Sequence, residues 1–156
     1  TPTPNWSFQI SWADIESPEA LHPDDDEERV SASALYARQL SGGGWVAATF
    51  AYANKERSDG VSLDAWLAEA AYRPNADWTL FARGEAIETD ELGAHHGPAE
   101  NVARLSLGAI RDWRVSENAV IGVGLVGQAH FTPDALEPAY GGDPAGGMAF
   151  VRLRIG

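Results

Sequence analysis

Residues 101–113, NVARLSLGAIRDW, alternate along the chain between two kinds of side chain. The apolar set is Ala103, Leu105, Leu107, Ala109 and Trp113, and the other set is Arg104, Ser106, Gly108, Asp112 and, as an apolar exception, Ile110. Successive side chains of a β-strand point to opposite faces, so the pattern predicts a strand with one apolar and one polar face. Alternation alone does not say which face points inward, because a soluble barrel buries its apolar face whereas a membrane barrel exposes that face to lipid.

The same alternation recurs along the whole chain, in segments separated by turn-rich stretches. Each segment is close to the roughly 9–11 residues with which a tilted strand crosses a bilayer. The best helical candidate, SLDAWLAEAAYR, also alternates and is therefore assigned to a strand. The prediction is a single all-β domain over residues 1–156, an eight-stranded antiparallel up-and-down transmembrane β-barrel. The predicted strands lie near residues 5–15, 29–40, 45–54, 62–72, 77–88, 101–113, 119–131 and 147–155.

Connections between the predicted strands alternate between long and short. In chain order they are ESPEALHPDDDEE, SGGG, KERSDGVS, RPNA, TDELGAHHGPAE, RVSEN and TPDALEPAYGGDPAG. Outer-membrane barrels have short turns on the periplasmic side and longer loops outside. The alternation therefore favours a membrane barrel whose long, acidic connections lie outside the cell.

Aromatic residues of the apolar face lie at two levels, as expected for the two interfaces of a bilayer. Lysine, which a water-exposed sheet uses freely, occurs once, at Lys55, against ten arginines. Both features favour an apolar face turned toward lipid. The alternative is a soluble, lipocalin-like barrel that binds a small apolar ligand against this face. The aromatic residues are Tyr36, Tyr72, Trp78 and Trp113 beside the short turns, and Trp12, Tyr52, Trp66 and Phe131 beside the long connections.

Composition excludes several other classes of function. A formal net charge of −12 disfavours nucleic acid as a partner, because a phosphate-binding surface needs clustered Lys and Arg. The absence of cysteine rules out disulfides and thiolate metal sites. No apolar run approaches the roughly 20 residues of a membrane helix.

Over essentially its full length the chain resembles bacterial outer-membrane β-barrel proteins. FTPDALEPAYGGDPAGGMAFVRLRIG and SPEALHPDDDEERVSASALYAR are similar to the C-terminal eight strands of an uncharacterised proteobacterial outer-membrane family associated with copper and heavy-metal resistance. The resemblance implies an outer-membrane location, a lipid bilayer and lipopolysaccharide as partners, and insertion by the barrel-assembly machinery. It leaves open whether the eight strands are a small barrel or part of a longer one. Outer-membrane barrels commonly finish on an aromatic residue, whereas this sequence ends VRLRIG, with Phe150 six residues earlier.

Charged residues of the polar face are expected to fill the interior, since eight strands close around a space just wide enough for side chains. Antiparallel neighbours would place Glu69 near Arg83 and Glu85 near Arg104, relieving the cost of each buried charge. We expect a salt-bridged plug that fixes the shape of the barrel, and the alternative is a narrow polar pathway for ions or water. The predicted interior residues are Arg29, Glu69, Arg83, Glu85, Arg104, Asp112, Arg152 and Arg154.

Two acidic, histidine-containing connections are candidate sites for a divalent cation. Carboxylates suit Ca²⁺ or Mg²⁺, and imidazole adds Cu²⁺ or Zn²⁺. Neither connection has the fixed spacing of a known metal loop, so we expect no resident cofactor and mainly solvated loops. The candidate ligands are His22, Asp24, Asp25, Asp26, His95 and His96.

Gln128 and His130 are expected at the outer rim, facing the interior. No Gly-x-Ser-x-Gly motif occurs, and Thr132 stands two residues after His130, so catalysis has little support. The sequence predicts a non-enzymatic envelope component with a structural or surface-binding role, or a restricted ion pore. A lipid hydrolase that uses His130 ranks third. The substrate and the oligomeric state stay open.

Overall fold

A computed structural model describes residues 3–18, 26–90, 92 and 99–156. Its eight strands form one antiparallel sheet in chain order, so that each strand pairs with its sequence neighbours. The first and last strands are the two edges of the sheet and do not pair with each other, so the sheet is not closed. The strands are β1 (Trp6–Ile15), β2 (Glu27–Gln39), β3 (Trp45–Arg57), β4 (Ser62–Arg73), β5 (Trp78–Thr89), β6 (Glu100–Ser116), β7 (Ala119–Phe131) and β8 (Ala145–Ile155).

Short helical segments occur only in connections of the described chain. A 3-10 turn covers Ser41–Gly43, and another covers Asp134–Leu136 and leads directly into α1 (Glu137–Tyr140). Gly42 adopts a φ of 80°, which the tight turn between β2 and β3 requires and which glycine adopts without steric cost. No helix in the described ranges has both the length and the apolar character needed to span a membrane.

The prediction of eight antiparallel up-and-down strands is confirmed, including the assignment of residues 62–73 to a strand. The expected alternation of long and short connections is wrong at one place. Only residues 58–61 connect β3 to β4, which is as short as the turn at 40–44. Residues 54–57 are polar on both faces and show no hydrophobic alternation, yet their backbone pairing with β2 and β4 continues.

Register places most of the large apolar residues of the eight strands on one face of the sheet, called the outer face below. Trp6 lies opposite Tyr36, and the same line of paired residues continues across the sheet to Gly147. Large apolar side chains on this face are well exposed, with Ile10 at 81% and Val151 at 72%. The apolar set of residues 101–113 belongs to this face.

The sheet has almost no apolar core of the usual kind. Within the described ranges, the buried apolar side chains are Leu63, Ile110 and Leu136 alone. Leu63 and Ile110 lie on the opposite face of the sheet, called the inner face below. Ile110 is the apolar exception in the polar set of residues 101–113. The inner face therefore combines a few buried aliphatic side chains with the charged residues described below.

The sheet curves toward its inner face. Asp112 in β6 forms ion pairs with Arg152 in β8, across β7, and with Arg73 in β4, across β5. Adjacent strands are about 4.8 Å apart, so side chains two strands apart meet only where the sheet bends toward them. Gly122 of β7 lies beneath the Asp112–Arg152 contact, where a Cβ atom would be 2.4 Å from Oδ1 of Asp112.

Two glycines of β7 offer a matched test of this packing. A Cβ atom on Gly124 would lie 2.3 Å from the inner-face ring of Phe150, whereas a Cβ atom on Gly127, on the outer face, would meet open space. We predict that Gly124→Ala lowers the free energy of unfolding by about 1–3 kcal/mol through overpacking, and that Gly127→Ala leaves it unchanged or slightly raised. Denaturant unfolding measures both variants, and equal effects would contradict the position of Phe150.

Candidate functional site

Charged residues are concentrated on the inner face, which makes it the candidate functional site. All eight residues predicted to point into a barrel lie on this face. The structure gathers them into three groups, one near each end of the strands and one between. They are Arg29 on β2, Glu69 on β4, Arg83 and Glu85 on β5, Arg104 and Asp112 on β6, and Arg152 and Arg154 on β8.

The middle group joins β4, β5 and β6. The Arg83 guanidinium lies 3.6 Å from the Glu69 carboxylate and also pairs with Glu85. Glu85 accepts a 2.8 Å hydrogen bond from Nε of Arg104 on the next strand. Both ion pairs expected from the sequence are therefore present. All four side chains are partly exposed, so each pair alone contributes little to stability.

The second group surrounds Asp112, near the short turns. The Asp112 side chain is 2% exposed, and its carboxylate accepts hydrogen bonds of 2.8 and 3.1 Å from Arg152 and one of 3.0 Å from Arg154. Arg73, which the sequence did not indicate, lies 3.5 Å away and also donates to two carbonyl oxygens of the following turn. One carboxylate thus faces three guanidinium groups.

The third group lies at the long-connection end. Glu27 is buried, and its carboxylate accepts a 2.7 Å hydrogen bond from Arg29 and lies 3.4 Å from Nζ of Lys55. Arg57 and Asp90, whose side chains are 3% and 4% exposed, form a 2.8 Å ion pair across β4. The sequence indicated only Arg29 here, because the others lie in stretches that are polar on both faces. Lys55 and Arg57 are two residues apart, a spacing that places both on the same face of a strand. That spacing is the sequence signal that could have revealed these two basic residues.

Asp90 is a buried acid that stays charged because of its neighbours. Burial by itself would raise the pKa of Asp90. Its contact with Arg57, a backbone hydrogen bond and the positive charges of Arg57 and Lys55 outweigh burial and hold this pKa below the ordinary value for aspartate. The charged form of Asp90 therefore depends chiefly on Arg57.

The two predicted rim residues lie on the inner face of β7. The backbone N–H of His130 donates a 2.9 Å hydrogen bond to the carbonyl of Pro144. Gln128 lies opposite Gly146 of β8. Both residues stand at the end of β7 that leads into the longest described connection, residues 132–144.

Of the candidate metal ligands, Asp26 lies in the described part of the chain. Its carboxylate accepts a 3.2 Å hydrogen bond from the backbone N–H of Ser17, and its own N–H donates to Ser58, so it ties two connections together. The described residues contain no group of three or more acidic or histidine side chains arranged to hold a metal ion. The remaining candidates lie outside the described residues: His22, Asp24, Asp25, His95 and His96.

Several cavities open on the inner face, and two of them lie at its two ends. One of about 680 Å³ lies near the long connections beside Arg29 and Lys55, and its lining from β1–β5 also includes the aliphatic side chains of Ile15, Leu63 and Ile87. Another of about 430 Å³ lies at the short-turn end beside Asp112, Arg114 and Arg154. The short-turn cavity is dominated by charged side chains, which suits electrostatic binding, whereas the larger cavity combines charged and aliphatic side chains.

No protein-family model matches this sequence, and comparison with curated proteins and with solved structures finds no similar protein. The geometry of the two faces is therefore the basis for a function. The expectation that the chain is not an enzyme stays a prediction.

We predict that Asp90→Asn lowers the free energy of unfolding by roughly 2–3 kcal/mol at pH 7, because it removes a charged partner from buried Arg57. Arg57 keeps Asp59 as a second partner, at 3.0 Å, which limits the loss. The control is Asp77→Asn, which removes a more exposed ion pair with Arg111 and should cost about 0–1 kcal/mol. Denaturant unfolding measures both variants.

The pH dependence of the same comparison has a definite sign. The folded-state pKa of Asp90 is lower than its unfolded value of about 3.9, so the advantage of the wild type over Asp90→Asn is complete above about pH 4. It is lost as the pH falls through the folded-state pKa. An advantage that grew on acidification from pH 7 to 3 would contradict the depressed pKa.

Proposed function

We propose that the chain is an eight-stranded membrane β-barrel of a bacterial outer membrane, with an ion-paired interior that blocks flow. In this proposal it is a structural or surface-binding component of the envelope, and lipid and lipopolysaccharide are its partners. The barrel-assembly machinery inserts it. The observation that carries the proposal is the exposed, continuous apolar surface of the outer face.

Charged residues of the outer face lie only at its two ends. In the eight strands, all of whose residues are described, the acidic ones lie near the long connections and the basic ones near the short turns. No charged side chain lies between them on the outer face of any strand. This separation supports an apolar band that faces lipid. The acidic residues are Asp14, Glu28, Glu56, Asp64 and Glu88, and the basic ones are Arg38 and Arg111.

The height of the apolar band suits a bilayer. On β7 the outer face runs from Ile121 to Phe131 without a charged residue. Ten residue steps of about 3.4 Å cover about 34 Å along the strand, or roughly 27 Å along the barrel axis at a tilt of about 36°. Outer-membrane barrels have an apolar band of about 25 Å.

Aromatic side chains mark both limits of the band. The rings of Tyr52 and Trp66 lie 4.4 Å apart, and the Tyr52 hydroxyl donates a 2.7 Å hydrogen bond to Asp64. Polar surface therefore begins at Asp64, the next outer-face residue after Trp66 on β4. At the other limit the Arg111 guanidinium lies between two tryptophan rings, 5.1 Å from that of Trp78. Such amphipathic side chains are favoured at membrane interfaces.

The register of the sheet supports closure into a barrel. The line of paired residues that begins at Trp6, the first residue of β1, reaches β8 at Gly147, near the opposite end of the strands. If β8 pairs with the whole of β1, then Gly147 lies opposite Asp14 and Ile155 lies opposite Trp6. This stagger of eight residues keeps outer residues opposite outer ones, and a shear of about 8 is a known solution for eight strands.

The two edge strands are complementary in this register. On the outer side, Phe8 would lie opposite Leu153 and Ile10 opposite Val151. Ile10 and Val151 are among the most exposed apolar residues of the sheet because each has a neighbouring strand on one side only. On the inner side, the aromatic ring of Phe150 would meet the small side chain of Ser11. Closure therefore covers apolar edges and pairs large inner residues with small ones.

A soluble carrier of small apolar ligands fits the two faces poorly. Such a carrier needs an apolar inner face and a polar outer one. Here the inner face carries three ion-paired groups, and most of the exposed large apolar residues lie on the outer face, with Leu35, Ile87 and Met148 as inner-face exceptions. The membrane barrel is therefore the better supported of the two.

Contact of the outer face with lipid is tested by single cysteines, since the chain has none of its own. Leu125→Cys and Gln128→Cys place one fluorescent thiol probe on the outer and inner faces of the same strand. After reconstitution into vesicles whose acyl chains carry bromine, we predict strong quenching of the probe at position 125 and little at position 128. Equal quenching, or a protein that stays folded and monomeric without detergent or lipid, would overturn the membrane assignment.

Closure is tested by a pair of cysteines at the edges. Paired residues of antiparallel strands have Cα atoms about 4.5–5.5 Å apart, within the disulfide range of about 4.4–6.8 Å. We predict that Phe8→Cys with Leu153→Cys forms an intramolecular disulfide. The control, Phe8→Cys with Ala149→Cys, shifts one cysteine by four residues along β8 and should not. A disulfide-linked dimer instead would show that the edges pair between two copies.

A further inference from the structure

We propose that the arginines around Asp112 form a binding site for a small oxyanion, such as a phosphate group, at the short-turn end of the inner face. The proposal rests on the barrel of the previous section, because closure turns an exposed group of charges into an enclosed site. The ligand would bind Arg154, Arg114 and Arg73 from the 430 Å³ cavity that these residues line.

The charges around Asp112 do not balance. Its single buried carboxylate is shared by Arg152, Arg154 and Arg73, at 2.8, 3.0 and 3.5 Å. Arg114 lines the same cavity, and within the described part of the chain its side chain takes part in no hydrogen bond or ion pair. Three guanidinium groups therefore share one carboxylate, and a fourth, exposed guanidinium lines the same cavity.

Other acidic groups near the cavity compensate only in part. Asp77 lines the rim, where its carboxylate lies 3.3 Å from Arg111, a residue of the outer face. Glu117 also lines the rim and is exposed in the turn between β6 and β7. Neither carboxylate contacts the arginines that bind Asp112. Gly156, the last residue of the sequence, also lines the cavity. Even with its carboxylate and that of Glu117 counted beside Asp112, the four guanidinium groups outnumber the acids that are not paired elsewhere, so the cavity keeps an excess of positive charge.

Closure would increase the cost of this imbalance. In the register given above, Arg154 comes opposite Ser7 and Arg152 opposite Gln9, and neither of these β1 residues is charged. In the open sheet the side chain of Arg154 is 45% exposed and that of Arg152 is 32% exposed. Covering them with β1 removes water without adding negative charge, and enclosed charges that one shared carboxylate balances only in part are unfavourable.

An oxyanion meets both requirements of the site. It supplies negative charge, and its oxygens accept the two parallel N–H bonds that a guanidinium offers. Each arginine has five N–H donors, and Arg154 contacts Asp112 through Nη2, which leaves its other donors for a ligand. The surrounding cavity is large enough for a phosphate or carboxylate group.

Titration calorimetry with inorganic phosphate tests the proposal, using the folded chain in a neutral detergent and a phosphate-free buffer. We predict saturable binding at one site. Arg154→Gln and Arg114→Gln should each weaken it about tenfold or more, the effect of losing hydrogen bonds to a charged group. Arg38→Gln removes an arginine at the same end of the barrel but on the outer face and away from the cavity, and it should leave phosphate affinity unchanged.

Two results would overturn the oxyanion site: no saturable phosphate binding by the folded wild type, or an equal loss in Arg38→Gln and Arg154→Gln, which would indicate non-specific attraction. A second readout guards against a variant that misfolds. Phosphate should raise the unfolding midpoint of the wild type more than that of the variants. The lipid-quenching and disulfide measurements contain no phosphate, so they report failure of the barrel separately from failure of this site.

Discussion

Ion pairs that reach across an intervening strand hold the sheet in its curved form. Asp112 meets Arg152 over β7, and Arg57 meets Asp90 over β4. Such contacts need a bend toward the inner face, and the first also needs a residue without a side chain beneath it, which Gly122 provides. A flat sheet would separate these charges and leave each without its partner. Curvature, glycine placement and charge placement are therefore one feature of this sequence.

In a typical soluble domain the apolar residues are buried and the charged ones are exposed. In this curved sheet most large apolar residues are exposed instead. Within the described ranges, 24 large apolar side chains are exposed and only three apolar residues are buried. Burial of one such side chain is worth about 1.5–3 kcal/mol, so this surface in water would forgo a large part of the stabilisation that a domain needs. A bilayer removes the apolar surface from water without requiring an apolar core. Under the proposed membrane barrel, the inner face is then left for charged side chains.

Sequence alternation predicted much of this arrangement, because a period of two fixes the face of every residue once a strand is located. It indicated the Glu69–Arg83 and Glu85–Arg104 pairs, whose members lie on neighbouring strands. It did not indicate the pairing of Asp112 with Arg73, since that contact joins strands two apart and depends on curvature. Alternation carries no such information.

Alternation also fails where both faces are polar. Residues 54–57 continue β3, yet no apolar residue there shows which side points inward. The sequence consequently placed Arg57 in a connection and overlooked its ion pair with Asp90. Backbone pairing with β2 and β4 extends the strand there. Backbone hydrogen bonds do not depend on which side chains are apolar, so the alternation of side chains does not predict them.

The register links the two proposals physically. An eight-residue stagger brings uncharged Ser7 and Gln9 of β1 against Arg154 and Arg152 of β8, so β1 would add no acid at the seam and both arginines would still share the carboxylate of Asp112. In the middle group, Glu85 contacts two arginines and Glu69 contacts one of them, so the charges there are closer to balance. A plug alone would be served by balanced pairs throughout its length. A plug does not require the excess of arginine at the short-turn end, whereas an anion-binding site does.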